Sequence, residues 1–395
     1  MKRIAFLLLL SLCLSGCVSL KRNSLWKKGK VLRLEEKVSF PFTEKWGMIF
    51  LPVSVNGQSF NFLLDTGAPN VLDQGTLEAL GIPAYTYGMV SDAYGKRDRL
   101  SFAITNRFTI GPLQHKKVGA LIADFRSVPI FDCMEIDGLI GANMMRKSVW
   151  QFDFRQKMIH VAPSVDYFEL DQAEQLPIRS KNTGTPVTNI RLGSILLKNQ
   201  TVDFGSGNGI TILKDKITEP MVQDTVAISY GNAGTGLYGS RQDTVYYLRT
   251  DSLQIGLDFL SSAVLRVRKN TNGLLGLRFW RNYRVTIDWS AGILYLEPNG
   301  DKPQIVSRGF GFGTEMSGDT LRVSTLTTPS PASAAGLLLR DQIIQLGTRL
   351  VSDLDYCQVL HQLDTAEQVQ VTILRKEGPK IIQLEKRDLY KQKAY

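Results

Sequence analysis

Two aspartates stand on glycine-containing turns in two separate stretches of the chain. Asp65 lies in FNFLLDTGAPNVL (residues 60–72), and Asp203 lies in NQTVDFGSGNGITI (residues 199–212). Apolar, β-favouring residues precede each aspartate, which predicts a buried strand that ends in a tight turn. An ionisable group is costly to bury unless another group pairs with it or the protein uses it. Two neighbouring carboxylates share one proton, so together they could act as general base and general acid on one water.

Each aspartate also has a plainer interpretation as a turn residue that caps backbone amides. For Asp65 the repeat described below favours a chemical role, whereas for Asp203 the capping role is a serious alternative. No other constellation competes, because the chain has no Gly-x-Ser-x-Gly elbow, no His-Glu-x-x-His motif and no phosphate-loop lysine. The three histidines have no metal-ligand spacing to a cysteine or an acidic cluster, so we expect neither a metal nor another cofactor.

The stretches around both aspartates belong to a longer internal repeat. Segment 106–122 (NRFTIGPLQHKKVGALI) is echoed by 251–267 (DSLQIGLDFLSSAVLRV), and the GLIG-containing segment 138–161 is echoed by 273–296. The interval from aspartate to the next repeated glycine is 73 positions in the first copy and 70 in the second. This order predicts two homologous β lobes, residues 31–165 and 166–298.

Most of the chain consists of short apolar runs separated by turn residues, which indicates an all-β architecture. Asn56-Gly57 between two such runs predicts a tight hairpin. A short helix is expected at 74–80, closed by Gly81, and a long hairpin at 87–105 with its tip at 93–96.

The repeated motifs resemble those of aspartic proteases of the pepsin and retropepsin type. The resemblance rests on LLDTGA at 63–68, VDFGSG at 202–207, and the paired GLIG and GLLG segments at 138–141 and 273–276. It implies a bilobed double β-barrel over residues 31–298. It also implies that each lobe supplies one catalytic aspartate and that a polypeptide substrate lies across the cleft.

The same resemblance assigns roles around Asp65 and Asp203. Supporting residues of the two catalytic loops would be Thr66, Gly67, Gly205 and Ser206. Thr66 stands where the family has a threonine or serine that bonds across to the opposite loop, but the matching position in the second lobe is Phe204, so half of this brace is expected to be missing. Because the Ser206 hydroxyl could bond Asp203, we expect Asp203 to be the more readily ionised partner and Asp65 to carry the proton.

Two hairpin tips are candidates for a cover over the cleft. Tyr94, at the tip of the first long hairpin, could act as a flap aromatic, although an exposed tyrosine without such a role is an equal alternative. The glycine-rich segment 231–239 (GNAGTGLYG) is interpreted as the counterpart of this flap in the second lobe.

Residues 303–388 differ in character from the two lobes and resemble a PDZ domain. The resemblance rests on RGFGF at 308–312, SPASAAGLLLRDQI at 330–343, a helical pattern at 353–363 and a closing strand pair. It implies that the loop of Gly309, Phe310, Gly311 and Phe312 presents backbone amides to the C-terminus of a peptide or protein. Arg340 departs from the pattern by standing where glycine is usual.

The first 17 residues are typical of a bacterial lipoprotein signal. Lys2 and Arg3 precede an apolar run that is too short to span a membrane, and it ends in Leu-Ser-Gly-Cys at 14–17. Cleavage would leave Cys17 as the lipid-bearing N-terminus, followed by a basic tether at 18–30. Val18 and Ser19 carry no acidic sorting signal, which favours the outer membrane with the protein facing the periplasm.

Cysteine count and charge narrow the partners further. Cys133 and Cys357 remain after the signal and the lipid site, and we do not favour a disulfide between them because they lie in different predicted domains. The net charge of +10 is scattered, with no basic stripe interleaved with aromatics, so nucleic acid is not an expected partner.

Two function hypotheses follow from these patterns. The first is a membrane-anchored aspartic endopeptidase that acts as a monomer, with a PDZ domain that binds peptide or regulates access to the cleft. The second is a catalytically degenerate scaffold that binds peptides or proteins at the cell envelope. A homodimer that pairs two first lobes is less favoured, because the second lobe already offers a complementary half.

Overall fold

The computed structural model describes residues 24–92, 95–217, 225–260, 263–269, 273–300 and 307–390. Cys17, Tyr94 and the predicted lipoprotein signal lie outside these residues. The protein is mostly β-sheet, with 55% strand and 13% helix, in agreement with the predicted all-β class. No helix among the described residues is long and apolar enough to cross a membrane.

The first lobe, residues 31–165, is built from hairpins at the predicted turns. Asn56 and Gly57 both have positive φ, as this tight hairpin turn requires. The strands, counted from just before the lobe, are β1 (Lys30–Leu32), β2 (Val38–Pro41), β3 (Thr43–Lys45), β4 (Met48–Val55), β5 (Gln58–Asp65), β6 (Val71–Asp73), β7 (Thr86–Ser91), β8 (Arg97–Ile110), β9 (Leu113–Ala123), β10 (Gly138–Gly141), β11 (Val149–Asp153) and β12 (Met158–Ala162). The helices are α1 (Gln74–Ala79), α2 (Pro129–Cys133) and α3 (Ala142–Met145), and a 3-10 turn spans Val165–Tyr167.

The second lobe, residues 166–298, repeats this pattern. Its strands are β13 (Glu174–Pro177), β14 (Arg179–Ser180), β15 (Pro186–Leu192), β16 (Ile195–Asp203), β17 (Ile210–Leu213), β18 (Thr225–Gly236), β19 (Gly239–Thr250), β20 (Leu253–Ile255), β21 (Asp258–Leu260), β22 (Ala263–Arg268), β23 (Leu274–Gly276), β24 (Tyr283–Asp288) and β25 (Ile293–Pro298). Its helices are a 3-10 turn at Lys214–Lys216 and α4 (Leu277–Trp280).

Strand pairing shows the repeat directly. In the first lobe β10 lies parallel to β5, with Gly141 opposite Asp65; in the second lobe β23 lies parallel to β16, with Gly276 opposite Asp203. A six-stranded sheet in the order β13-β25-β24-β11-β12-β2 takes strands from both lobes. Beneath the loops, one apolar core joins the lobes through residues such as Phe152 of the first lobe. Burial of this shared apolar surface holds the lobes together.

The C-terminal module, which the structure describes from residue 307 onward, has an apolar core of its own between Phe310 and Leu384. Its strands are β26 (Arg308–Gly309), β27 (Phe312–Ser317), β28 (Thr320–Thr328), β29 (Gln342–Leu346), β30 (Arg349–Leu350), β31 (Gln368–Arg375), β32 (Gly378–Glu385) and β33 (Arg387–Asp388). The helices are α5 (Pro331–Ala334), a 3-10 turn at Val351–Asp353 and α6 (Tyr356–Thr365). Arg340 adopts φ +71°, the left-handed conformation that glycine adopts most easily, so the turn forms despite the substitution.

A single sheet runs from the second lobe into this module. Residues Ile228–Gly231 of β18 pair antiparallel with Thr325–Thr328 of β28. The pairing joins the hairpin β18–β19 to the module along its outer edge, so the module is continuous with the lobe through backbone hydrogen bonds.

The expectation about the cysteines is wrong. Cys133 and Cys357 form a disulfide with a Cα–Cα distance of 5.0 Å. Helices α2 and α6, which carry the two cysteines, pack against each other although they are far apart in the chain. The tie therefore connects the first lobe to the C-terminal module.

The end of the predicted basic tether is docked on the first lobe. Leu25 and Trp26 are buried, and the Trp26 ring meets Phe102 edge to face at 5.5 Å. The backbone carbonyl of Trp26 accepts a hydrogen bond from Arg146 at 2.6 Å. From residue 24 onward this segment thus belongs to the folded surface of the lobe.

Candidate active site

The two predicted catalytic aspartates face each other at the junction of the lobes. A Cβ atom added to Gly67 would lie 2.7 Å from Asp203 Cγ, and one added to Gly205 would lie 2.3 Å from Asp65 Cγ. Each carboxyl group therefore lies directly over the glycine of the opposite turn. The two carboxyl groups are close enough for the charge of Asp65 to add to burial in raising the pKa of Asp203.

The residue that follows each repeated glycine segment donates a backbone hydrogen bond to the neighbouring aspartate turn. The Ala142 N–H donates to Ala68 O at 2.8 Å, and the Leu277 N–H donates to Ser206 O at 2.7 Å. A Cβ on Gly141 would lie 2.1 Å from the carbonyl carbon of Pro69, so no larger residue fits under that turn. This close approach explains why glycine recurs at this position in both lobes.

Thr66 forms the brace between the two loops from one side only. Its hydroxyl donates to Val202 O at 2.7 Å and accepts from the Phe204 N–H at 2.9 Å. Phe204 occupies the matching position of the second lobe and packs edge to face against Phe152, with ring centroids 4.8 Å apart. Aromatic packing thus replaces the second half of the polar brace.

Burial raises the pKa of both carboxyl groups. The pKa of Asp65 is raised to about 6, although the Gly67 and Ala68 amides favour its ionised form. The pKa of Asp203 is raised well above its ordinary value, by burial and by the negative charge of Asp65. One proton is therefore shared by the pair at neutral pH.

The Ser206 hydroxyl does not make the contact on which the expected assignment of that proton was based. The Ser206 hydroxyl bonds the side chain of Asn208 at 3.3 Å, and Ser206 meets Asp203 through its backbone amide instead. Without a bond from the Ser206 hydroxyl, the reason to expect Asp203 ionised first is absent. Burial and, in addition, the negative charge of Asp65 raise the pKa of Asp203, and this favours Asp203 as the carrier of the shared proton.

The two walls next to the aspartates differ in polarity. On the first-lobe side, Leu63 precedes Asp65 by two positions and so lies on the same face of β5, where it packs with Val71 and Leu139. On the second-lobe side, the equivalent of Leu63 is Thr201, whose hydroxyl accepts from the Lys181 ammonium at 3.4 Å. No motif marks Lys181, and sequence reasoning missed it.

Two hairpin tips meet beside this site. Lys96 of the first hairpin donates to Tyr238 O at 3.0 Å, and the Tyr238 hydroxyl donates to Val90 O at 3.2 Å. Leu237, at the same tip, packs on the apolar cluster that includes Leu63. The segment predicted as the second flap therefore contacts the first hairpin, whereas the flap candidate Tyr94 lies outside the described residues.

The predicted peptide-binding loop lies at the start of the C-terminal module. Gly311 adopts φ +86°, and a Cβ there would lie 2.1 Å from the side chain of Ser330. Phe310 is buried in the core of the module, with Phe312 packed beside it. The Tyr356 hydroxyl of α6 donates to Thr314 O of β27 at 2.6 Å. Strand β27 and helix α6 thus lie side by side after Gly309-Phe310-Gly311-Phe312.

Within the part of the chain that the structure describes, no three His, Cys, Asp or Glu side chains come together as metal ligands.

Comparison with known proteins supports the first half of this site. The aspartyl protease family model matches residues 51–144, which include Asp65, its turn and the GLIG segment. A search of curated proteins found no match. Among solved structures, Basic 7S globulin from soybean aligns with a TM-score of 0.40 and 10% identity, over 67% of this chain and 95% of that chain.

The chain thus contains an aspartyl protease-like domain, which indicates an enzyme of the protease type. The matched residues end before Asp203, so the role of the second aspartate depends on the geometry alone.

Proposed function

We propose that this protein is an aspartic endopeptidase of two lobes in which Asp65 and Asp203 hold one water molecule between them. The ionised Asp65 takes a proton from the water as the water oxygen bonds to the scissile carbonyl carbon. The protonated Asp203 gives its proton to the carbonyl oxygen, which forms a neutral tetrahedral intermediate. Asp203 then takes a proton back from this intermediate, and Asp65 gives its proton to the leaving nitrogen. The C–N bond breaks as these two protons move.

The observation that carries this proposal is the reciprocal position of the carboxyl groups over the opposite glycines. Each carboxyl lies against the other turn, at distances that leave no room for a Cβ on Gly67 or Gly205. Two buried carboxyl groups in contact lower the stability of the fold, since burial disfavours their charge and raises the pKa of both. A role in stability therefore does not explain why they lie together.

The test compares the purified protein with Asp65→Asn and Asp203→Asn on unfolded polypeptide between acid and neutral pH. We expect each variant to lose activity by about 10²–10⁴-fold, the range of general acid–base catalysis. Asp171→Asn, at an exposed turn, is the matched control and should cleave normally. Cleavage that survives Asp203→Asn would contradict a role for the second lobe in catalysis.

A second candidate function is peptide or protein binding without catalysis. The observation that favours it is Phe204, which takes the position of the second bracing threonine and is wholly buried. Under this alternative the wild-type protein would bind unfolded polypeptide without cleaving it, and both asparagine variants would bind equally well.

For the C-terminal module we propose a PDZ-like domain that binds the C-terminus of a peptide or protein and regulates access to the cleft. Support comes from the loop at 309–312 beside β27 and α6, and from the pairing of β28 with β18. A peptide with a free C-terminal carboxylate should bind the module and change the cleavage rate, whereas its C-terminal amide should do neither.

We further propose a monomer anchored by lipid on Cys17 in the outer membrane, facing the periplasm. The support is the sequence of the first 19 residues. Labelled fatty acid should be incorporated into the wild-type protein and not into Cys17→Ser, and the wild-type protein should fractionate with outer membranes.

A further inference from the structure

A lysine lies on the second-lobe wall of the site, close to the acidic pair. Lys181 follows β14 and is exposed along part of its length, while its ammonium lies 3.4 Å from the hydroxyl of buried Thr201. Thr201 precedes Asp203 by two positions on β16, so both side chains point to the same face of the strand. Burial lowers the pKa of the Lys181 ammonium, and negative charge on Asp203 opposes that shift.

The loop that carries Lys181 spans the junction of the lobes. The Thr185 hydroxyl donates to Gly67 O at 3.2 Å, and the Trp289 indole donates to Gly184 O at 2.9 Å. Gly184 is itself close-packed, because a Cβ there would lie 2.7 Å from Ala142 O. The loop is therefore fixed on both sides, which keeps Lys181 beside Thr201, two positions before Asp203.

The first-lobe position that matches Thr201 is occupied by the apolar Leu63. Leu63 stands in register with Leu139, as Thr201 stands in register with Leu274. A substrate across the two aspartates would meet an apolar wall on one side and a hydroxyl with an ammonium on the other. An ammonium at a partly desolvated wall favours a carboxylate over an amide of equal size.

Building on the proposed function, we propose that Lys181 forms a cationic subsite with Thr201 and selects an acidic side chain of the substrate near the scissile bond. The preference should concern one side of the bond only, because the first-lobe wall offers Leu63 at the equivalent position. The selecting contact is electrostatic, so it should weaken as the salt concentration rises.

The test begins with a mixture of proteome-derived peptides, whose cleavage products are identified by mass spectrometry. Peptides with Glu, Gln or Lys at each position next to the cleaved bond are then synthesised and compared by kcat/KM. We expect a preference of roughly fivefold for Glu over Gln at one position in the wild-type protein. Lys181→Met should abolish this preference, and Lys181→Glu should shift it toward Lys.

Lys198→Met, at an exposed lysine on the same strand β16, is the matched control and should keep the wild-type preference. Equal cleavage of the Glu and Gln peptides by the wild-type protein, or a preference that survives Lys181→Met, would overturn the subsite while leaving the proposed protease intact.

Absence of any cleavage would instead contradict the proposed protease, and binding then decides about the subsite. The same peptides are made with a non-cleavable hydroxyethylene group in place of the scissile amide, and their binding is measured by fluorescence anisotropy. Tighter binding of the Glu peptide that is lost in Lys181→Met supports the subsite, and equal binding of the Glu and Gln peptides overturns it.

Discussion

At the scale of single residues, the site depends on side chains that are absent as much as on those that are present. Gly67 and Gly205 allow each carboxyl group to reach the opposite turn, and the Thr66 hydroxyl bonds two backbone groups of the facing loop. Replacement of Thr66 by an apolar residue would leave a buried N–H and a buried C=O without their partner, each at a cost of about 1–3 kcal/mol.

A methyl group at either Gly67 or Gly205 should displace the opposing carboxyl group. In Gly67→Ala or Gly205→Ala the new Cβ would meet Asp203 or Asp65 within 2.7 Å or 2.3 Å, so something has to move. We expect kcat to fall by about 10²-fold, the effect of a misplacement of about 1 Å. Steady-state kinetics on a peptide substrate measures this loss.

Gly207→Ala is the control for this experiment. It adds the same methyl group to the same loop, where the nearest atom is Gly47 O at an ordinary 3.5 Å. Equal loss of activity in all three variants would show that loop flexibility, and not the position of the carboxyls, limits catalysis.

The raised pKa values predict how activity depends on pH. The pair is active with one proton, so activity should fall as the pH drops below about 6 and Asp65 becomes protonated. It should fall again only where Asp203 loses its proton, since the pKa of Asp203 is raised well above its usual range. The profile of kcat/KM is measured between about pH 3 and 9, the range in which the protein can be assayed. It checks that Asp65 titrates at lower pH than Asp203, and full activity at about pH 4 would contradict this prediction.

At the scale of elements, β9 carries a buried histidine at the place where the N-terminal strand joins the sheet. His115 lies opposite Val31 of β1 and Phe108 of β8. It is fully buried, and neither ring nitrogen has a hydrogen-bond partner among the described residues. Burial lowers the pKa of His115 to about 4, so the folded protein holds this ring neutral.

His115 should therefore make the folded protein less stable in acid. The unfolded chain protonates the ring below about pH 6.5 and the folded protein only below about 4, so the unfolded state binds more protons in that window. We expect His115 to lower the free energy of unfolding by about 2–3 kcal/mol between pH 7.5 and 4.5, and His115→Leu to remove this decrease. Urea unfolding at both pH values gives the two free energies.

Comparison of the two proteins isolates the histidine, because the aspartate pair titrates in both of them. His361→Leu, which removes an exposed histidine from α6, controls for the loss of a histidine as such. The assignment fails if the wild-type protein and His115→Leu change equally between the two pH values.

At the scale of the whole molecule, the C-terminal module is attached to each lobe in a different way. Backbone pairing between β18 and β28 joins it to the second lobe, and the disulfide between Cys133 and Cys357 joins it to the first. Hairpin β18–β19 contacts both the module and the first hairpin. We therefore expect movement of the module to shift the hairpins beside the cleft.

The disulfide should contribute to stability because it closes a long loop. It connects residues 224 positions apart, for which chain entropy predicts up to about 5 kcal/mol. The double variant Cys133→Ser and Cys357→Ser should unfold at lower urea concentration than the wild-type protein. Reductant should lower the midpoint of the wild-type protein to that of the variant and leave the variant unchanged; identical midpoints without reductant would refute the stabilising role.

The sequence alone determined the features that depend on neighbours in the chain or on the repeat. Asn56-Gly57 defined its hairpin and the apolar alternation defined the strands, because turn chemistry and strand period act over a few residues. The duplication of the Asp65 stretch around Asp203 identified the pair, since equivalent positions in two copies of a fold take equivalent places.

Only the tertiary structure decided contacts between residues that are distant in the chain. Two contacts contradict what the sequence predicted: the disulfide and the bonding of Ser206 to Asn208. Two more were not predicted from the sequence: the aromatic packing of Phe204 and the position of Lys181. Each depends on which surfaces the lobes and the module bury against one another, and burial is a property of the whole packed chain. The sequence therefore specified the two carboxyl groups, and the packing of the lobes decided that they meet and are buried.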